Sequence, residues 1–169
     1  SASTVNDHGR FVYERYIGDM PFVDSPNFID EINRIVVLFH IDFIFPAHDS
    51  VLVKLTENQA LLCADVVASC AETCKLCRSK QKTYERFEKL IATPRLFREV
   101  DSIEYPAFLK PDVGQGSKGT YKVNAKEEVD FFCKLDPSLL TLEYLPGKEY
   151  TVDCFTDRQQ RLLFVAGRE

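Results

Sequence analysis

A predicted strand ends in a lysine, and a glycine-rich turn follows directly. Lys110-Pro111 closes the strand, and the turn contains Gly114, Gly116, Ser117 and Gly119. Glycines let backbone N–H groups approach anionic oxygens because no Cβ stands in the way, and a lysine ammonium adds a point charge. These residues therefore favour a phosphate-binding loop, although an ordinary hairpin turn beside a surface lysine would have the same letters.

The turn also satisfies the pattern G-x-G-x-x-G, which by itself is weak. A dinucleotide-binding fingerprint is followed by a helix, whereas a strand is predicted at Thr120 to Asn124. A protein-kinase glycine loop does lie between strands, but the sequence contains neither H-R-D nor D-F-G. Neither of these two classes fits the surroundings of the turn.

A second polar segment, residues 143–149, lies between two further predicted strands. It opens with Glu143-Tyr144-Leu145 and ends at Glu149. A purine base needs a flat apolar slot with one or two hydrogen bonds at its edge, and a ribose offers two hydroxyl donors to a carboxylate. The alternative is that both acids are solvated strand residues.

The elements that must position these segments divide near Ser79. Before it, a helix from Ser25-Pro26, a strand at Asp42 to Pro46, a helix opened by His48-Asp49 and a strand at Leu61 to Ala68 alternate along the chain. This alternation predicts a parallel α/β sheet for residues 1–79. The glycine-rich first turn of such a sheet is missing, so we expect the domain to lack its first strands.

Residues 80–169 have a different pattern, with short strands joined by turns. We therefore predict an α+β domain that is largely antiparallel. The predicted helices are Lys80 to Leu90 and Ala125 to Leu135, the latter with Val129, Phe132 and Cys133 inward, and the predicted strands are Tyr105 to Pro111, Thr120 to Asn124, Leu140 to Leu145, Glu149 to Thr156 and Leu162 to Ala166.

Composition narrows the function classes. The chain has 169 residues, 45% of them hydrophobic and 28% charged, with a net charge of -5, which is typical of a globular protein and disfavours nucleic-acid binding. The apolar stretch from Ile35 to Phe45 is interrupted by His40 and Asp42 and is too short to span a membrane. Six cysteines in a chain of this size do not suggest a secreted disulfide scaffold, so we expect a cytoplasmic protein. Its oligomeric state stays open.

Three cysteines offer a competing interpretation. Cys70, Cys74 and Cys77 have the C-x3-C-x2-C spacing of the iron–sulfur site in radical S-adenosylmethionine enzymes. The same spacing places all three on one face of a helix, where cysteine behaves as a small hydrophobe. We expect the helical core arrangement and predict no metal site, and Cys63, Cys133 and Cys154 are also expected in the core.

The ordered motifs resemble the ATP-grasp superfamily, specifically the group similar to the carbamoyl-phosphate synthetase large chain. The matching segments are Ser79-Lys80, the strand end Phe108 to Pro111, the turn Gly114 to Gly119 and residues 143–149. The resemblance covers nearly the whole chain. It implies a partial Rossmann-like α/β domain over residues 1–79, followed by an incomplete ATP-grasp fold over residues 80–169.

The resemblance also implies a role for each matched residue. Lys80 and Lys110 would reach the ATP phosphates, and Gly114 to Gly119 would close over them as a flap. Glu143 would accept from the adenine amino group, the backbone of Tyr144 and Leu145 would pair with the ring edge, and Glu149 would bind the ribose hydroxyls. Arg168 resembles a basic residue that touches phosphate or substrate.

The implied activity is that of an ATP-dependent ligase with small-molecule carboxylate and amine substrates. A carboxylate would be activated as an acyl phosphate, with Lys110 and Arg168 as the catalytic cations. ATP and Mg²⁺ are the implied cofactors, and the metal ligands are expected beyond residue 169. A nucleotide-binding module without catalysis and an iron–sulfur protein remain the alternatives.

Overall fold

The computed structural model describes residues 1–5, 7–114, 116–157 and 159–169. They form two compact units, Ser1–Ile91 and Ala92–Glu169. The mixture of helices and sheets confirms the predicted fold class. The assignment of domains to residues 1–79 and 80–169 stays a prediction.

The first unit alternates helices with two short parallel strands, as the sequence predicts. Phe43 pairs with Asp65 and Ile44 with Val66 in a parallel register. The helices are α1 (Gly9–Val12), α2 (Phe28–Phe39), α3 (Asp49–Glu57), α4 (Ala71–Arg78) and α5 (Lys80–Phe87), and the strands are β1 (Phe43–Ile44) and β2 (Asp65–Val66).

Helix α2 packs Phe28, Ile35 and Val36 into the core of the first unit. The helix begins two residues after Pro26, because the chain first makes a turn in which the Phe28 N–H donates to the Ser25 carbonyl over 3.1 Å. It ends at His40, whose left-handed backbone (φ 53°) closes the last turn.

Strand β2 is much shorter than the predicted segment from Leu61 to Ala68. Gln59–Leu61 forms a 3-10 turn instead. The side chain of Asn33 explains the difference, because its amide donates to the Leu61 carbonyl over 2.7 Å and accepts from the Cys63 N–H over 2.9 Å. Backbone groups that a strand would need for its neighbour are thus bound by a side chain from α2.

The second unit contains a four-stranded antiparallel sheet, one helix and a separate two-stranded hairpin, and the order within the sheet is β3-β6-β4-β5. Its elements are β3 (Leu96–Phe97), β4 (Ala107–Pro111), β5 (Tyr121–Val123), α6 (Lys126–Leu135), β6 (Leu139–Glu143), β7 (Thr151–Thr156) and β8 (Leu162–Arg168). The antiparallel pattern predicted for this half is confirmed, and β3 is the strand that the sequence did not predict.

The core of the second unit lies between the sheet and α6. Ala107, Leu109 and Val123 are fully buried in the sheet, and Val129 of α6 packs on them. Phe132 and Cys133 pack against the same cluster, which confirms the predicted inner face of the helix. Because alternate residues of a strand point to opposite faces, α6 covers one face of this sheet.

Strands β7 and β8 form a hairpin of their own. Their register runs from Thr151 opposite Arg168 to Thr156 opposite Leu162, with an irregularity after Phe155. Large apolar side chains on both strands, for example Val152 and Phe164, are more than half exposed. The two strands lie where the sequence predicts them, and their apolar side chains are exposed.

The cysteines differ from the core prediction. Cys74 is buried and Cys133 is half-buried, whereas Cys63, Cys70, Cys77 and Cys154 are exposed, so for these four the prediction was wrong. Cys63 lies in the loop held by Asn33, and Cys154 lies in the exposed hairpin. Within the described parts of the chain, no helix is long and apolar enough to cross a membrane.

Candidate nucleotide site

Lys110 lies on the sheet face opposite helix α6. In β4, the alternate residues Ala107 and Leu109 are fully buried in the core, whereas Phe108 and Lys110 are half-buried. Lys110 is paired with Leu140 of β6 and is the next-to-last residue of its strand. The strand therefore carries this lysine to its carboxyl end, directly before the glycine-rich turn.

The predicted flap joins β4 to β5, as expected for a loop between antiparallel strands. Gly116 and Ser117 both have positive φ, 66° and 53°, and so does Gly119 at 69°. A Cβ at Gly119 would lie 3.3 Å from the Pro111 ring, so a larger residue would be both strained and crowded there. Gln115, which belongs to the predicted flap, lies outside the described residues.

The acidic segment begins at the last residue of β6. The Glu143 N–H donates to the Arg95 carbonyl over 2.8 Å, and the Glu143 carboxylate accepts from the Arg95 N–H over 3.2 Å. Tyr144 is half-buried, whereas Leu145 and Glu149 are exposed. The start of the segment is thus fixed to the sheet, and its remainder lies at the surface.

Lys110 and Glu143 lie in the four-stranded sheet, and Tyr144 follows it directly. Glu143 is paired with Ala107, three residues before Lys110 on the neighbouring strand, which is about 10 Å along β4 at the usual rise per residue. The structure therefore brings Lys110 and Glu143 onto adjacent strands, with Tyr144 directly after β6. Because three residues separate Ala107 from Lys110, the side chains of Glu143 and Lys110 point to opposite faces of the sheet. Their predicted roles toward a nucleotide stay predictions.

Arg168 lies on the β7–β8 hairpin rather than on that sheet. Its guanidinium Nε lies 3.1 Å from the Asp153 carboxylate across the two strands. Both side chains are more than half exposed, so the pair is weak in water. The predicted catalytic role of Arg168 rests on the family resemblance.

Lys80 is the first residue of helix α5, in the other compact unit. Ser79 caps this helix: its hydroxyl accepts from the Lys82 N–H over 3.2 Å, and its carbonyl accepts from the Thr83 hydroxyl over 2.8 Å. Ser79 is buried, with 7% of its surface exposed. The cap therefore fixes where helix α5 begins, and with it the backbone position of Lys80.

Sequence reasoning missed Lys122. Its ammonium lies 4.3 Å from the centroid of the Tyr144 ring, which brings strand β5 into contact with the acidic segment. The alternation in β5 carried a signal, because Lys122 lies between Tyr121 and the fully buried Val123 and must face away from the core.

The iron–sulfur alternative finds little support in the geometry. The buried Cys74 thiol donates to the Ser69 carbonyl over 3.4 Å, and burial raises the pKa of this thiol. Cys70 lies at the N-cap of α4 and contacts the Thr73 hydroxyl, and Cys77 is exposed. Among the residues that the structure describes, no group of three His, Cys, Asp or Glu side chains is placed to hold a metal ion.

A lysine at a strand end, a glycine loop and a neighbouring acidic segment define a candidate site of the nucleotide-binding class. The profile of the ATP-grasp domain family matches residues 77–169, more than half of the chain. The chain belongs to the ATP-grasp domain family. The recognition of this superfamily from ordered motifs is thereby confirmed, as is the partial ATP-grasp fold.

Solved structures with this fold include ligases and carboxylases. The L-amino acid ligase from Bacillus licheniformis is 19% identical with a TM-score of 0.67, over 91% of this chain and 39% of that one. The D-Ala:D-Ser ligase from Enterococcus faecalis is 21% identical with a TM-score of 0.61, over 74% of this chain and 42% of that one.

A third similar structure contains nucleotide. It is the biotin carboxylase domain of the 2-oxoglutarate carboxylase from Hydrogenobacter thermophilus, in complex with MgADP, ADP and bicarbonate. It is 17% identical with a TM-score of 0.64, over 87% of this chain and 38% of that one. Identities this low show a shared fold, and the chain spans about two fifths of each of these structures. No curated protein sequence matches the chain.

Proposed function

We propose that the chain supplies part of the ATP site of a carboxylate–amine ligase that activates its carboxylate as an acyl phosphate. The observation that carries the proposal is the placement of Lys110. This lysine lies on the sheet face opposite α6, shortly before a loop with three positive-φ residues, on the strand that pairs with β6, which leads into residues 143–149. Membership of the ATP-grasp family supports a nucleotide as the ligand.

The triphosphate needs positive charge and N–H donors. Lys110 supplies the charge at the end of β4, and the flap supplies backbone amides at Gly114, Gly116, Ser117 and Gly119 together with the Ser117 hydroxyl. Lys80, the first residue of α5, is proposed as the second lysine for the phosphates. These groups would stabilise the charge that develops on the transferred phosphoryl group.

The nucleoside part belongs to residues 143–149. Glu143 accepts from the adenine amino group with lone pairs beyond the one used by the Arg95 N–H, since a carboxylate has about four acceptor positions. The backbone of Tyr144 and Leu145 pairs with the ring edge, and Glu149 accepts from the ribose hydroxyls. The exposure of Leu145 and Glu149 leaves both side chains accessible to a ligand.

The proposed reaction has two transfers. A carboxylate oxygen of the substrate attacks the γ-phosphorus, the bond to the β,γ-bridging oxygen breaks, and ADP leaves. An amine then attacks the acyl carbon, loses a proton and displaces phosphate, which leaves an amide. Positioning and electrostatic stabilisation by Lys110 and Arg168 would supply the rate enhancement.

We propose that Mg²⁺ accompanies ATP in this site. The described residues contain no group of three suitable side chains for a metal. The roles proposed above therefore belong to the chain's own cations and amides. The proposed substrates are small carboxylates and amines. We further propose that the protein works in the cytoplasm, as a monomer or an oligomer, and has no nucleic-acid or membrane partner.

A thermal-shift titration tests the proposal. Ligands that bind native protein raise its stability by RT ln(1 + [L]/Kd), about 2.7 kcal/mol at one hundred times Kd. We expect ATP–Mg²⁺ to raise the melting temperature, and neither GTP–Mg²⁺ nor S-adenosylmethionine to do so. Stabilisation by S-adenosylmethionine alone would favour the cysteine-based alternative.

Two variants connect the shift with the site. Lys110→Met and Glu149→Ala are expected to abolish the response to ATP, whereas Lys134→Met, at the exposed end of α6, is expected to retain it. Wild-type responses in both site variants would show that the residues are wrongly assigned. ATP binding without conversion of any carboxylate–amine pair by the full-length protein would favour the non-catalytic module.

A further inference from the structure

Lys122 lies on the same sheet face as Lys110 but closer to the acidic segment. Phe108 of β4 is paired with Lys122 on one side and with Leu142 on the other, so the three residues form a row across the sheet. Lys110 is two residues further along β4 and therefore shares their face. Glu143 follows Leu142, so the row lies next to the start of residues 143–149.

The neighbours of Lys122 confirm which face it occupies. Val123 is fully buried in the core with Val129 of α6. Tyr121 stacks on Phe132 of the same helix, with ring centroids 3.9 Å apart and an interplanar angle of 18°. Since both neighbours point toward α6, Lys122 points to the opposite face.

The ammonium of Lys122 has a defined partner on that face. It lies 4.3 Å from the centroid of the Tyr144 ring, well within the range of a cation–π interaction. Tyr144 is half-buried and is the first residue after β6. The contact therefore joins β5 to the second residue of the acidic segment across the intervening strand β4.

We propose that Lys122 is a positioning residue for the nucleoside half of the site: its ammonium holds the Tyr144 ring and so fixes the backbone that receives the purine edge. This inference rests on the proposed function. Lys122 is assigned to the nucleoside half because its ammonium lies 4.3 Å from the centroid of the Tyr144 ring, in the segment that is proposed to receive the base. Lys122 acts through Tyr144, without touching the phosphates.

Binding of ATP and of adenosine, which has no phosphate, tests the assignment by calorimetry. Lys122→Met and Tyr144→Leu are each expected to raise Kd about two- to fivefold, the range for an exposed cation–π contact, and by the same factor for both ligands. The double variant is expected to be no weaker than either single one, since both lose one interaction. Lys122→Arg and Tyr144→Phe, which keep a cation and a ring, are expected to retain wild-type affinity.

A second measurement needs no ligand. The ring current of Tyr144 is expected to shift the ε-methylene protons of Lys122 upfield in the NMR spectrum, and Tyr144→Leu is expected to remove that shift while Tyr144→Phe keeps it. This reports the contact in any variant that remains folded.

Specific outcomes overturn the inference. A loss confined to ATP would make Lys122 a phosphate ligand, and unchanged affinities or additive losses in the double variant would remove the positioning role. The proposed function fails separately, and takes this inference with it, if the wild-type chain binds no ATP although the NMR contact is present.

Discussion

Glu143 and Arg95 are joined by two hydrogen bonds, one from each backbone N–H. The Glu143 N–H donates to the Arg95 carbonyl over 2.8 Å, and the Arg95 N–H donates to the Glu143 carboxylate over 3.2 Å. Arg95 immediately precedes β3, so the carboxylate extends the pairing between the edge strand and β6. Glu143, which is predicted to bind adenine, thus also has a structural role in the chain without nucleotide.

Glu143→Ala is expected to reduce both stability and ATP affinity. Loss of the hydrogen bond to the Arg95 N–H is expected to lower the free energy of unfolding by about 1 kcal/mol, measured by urea titration. Glu143→Gln keeps an oxygen acceptor and is expected to retain both properties. If the fully folded alanine variant binds ATP with wild-type affinity, Glu143 does not contact the adenine base.

Ser79→Ala is expected to destabilise helix α5. The hydroxyl of Ser79 accepts from the Lys82 N–H over 3.2 Å, and loss of such a cap costs about 0.5–2 kcal/mol. Ser79→Asp is expected to retain most of the stability, because aspartate is an equally good cap. Circular dichroism during urea unfolding measures the difference, and equal midpoints for wild type and the alanine variant would show that the cap contributes nothing.

Leu109→Ala is expected to lower the free energy of unfolding by about 2–5 kcal/mol, because the side chain is fully buried between the sheet and α6. Leu135→Ala is the matched control: this leucine ends α6 with 69% of its surface exposed and should change stability by less than about 0.5 kcal/mol. Similar losses in the two variants would contradict the assigned core.

Acid is expected to weaken the β7–β8 turn through Asp157. The backbone N–H of Arg161, together with the guanidinium of the same residue and the Gln159 N–H, holds the pKa of the Asp157 carboxyl below its usual range. Because the pKa of Asp157 is lower in the folded state, its ionised carboxylate stabilises the fold at every pH above the ordinary pKa of about 3.9. This contribution disappears as the pH falls through the lowered pKa.

Asp157→Asn should therefore be less stable than wild type at pH 7, and the difference should shrink as the pH falls below about 4. Thermal unfolding followed across this pH range checks the trend, and a carbon-13 titration of the carboxyl checks the pKa. Arg161→Gln, which keeps the backbone N–H, should retain part of the effect. A difference that is constant with pH would rule out the carboxylate as its source.

The sequence predicts most of the second unit because its signals are local. The strand that ends at Lys110-Pro111, the glycine-rich turn after it and the inner face of α6 each depend on neighbouring residues, and the strand and the helix lie where they were expected. Strand β3 was missed because it has only two residues and is defined by its partners Thr141 and Leu142 in β6. Pairing of that kind leaves no local pattern.

The remaining errors also come from distant contacts. Asn33 of α2 binds the backbone at Leu61 and Cys63, which shortens the predicted strand there. The contact between Lys122 and Tyr144 depends on two strands that flank a third, so neither residue indicates it alone. Lys110 and Glu143, which the order of motifs selects, lie on neighbouring strands, and their roles toward a nucleotide stay predictions.

The central claim is that the flap after Lys110 and residues 143–149 bind one ATP molecule together. A nitrogen-15 NMR titration with ATP–Mg²⁺ tests it most directly, with the amides of Gly116, Ser117 and Gly119 followed beside those of Tyr144 and Glu149. Both groups of signals are expected to shift along one saturation curve with a single Kd, and Lys110→Met is expected to abolish both shifts. Shifts in one segment alone, or two different dissociation constants, would contradict it.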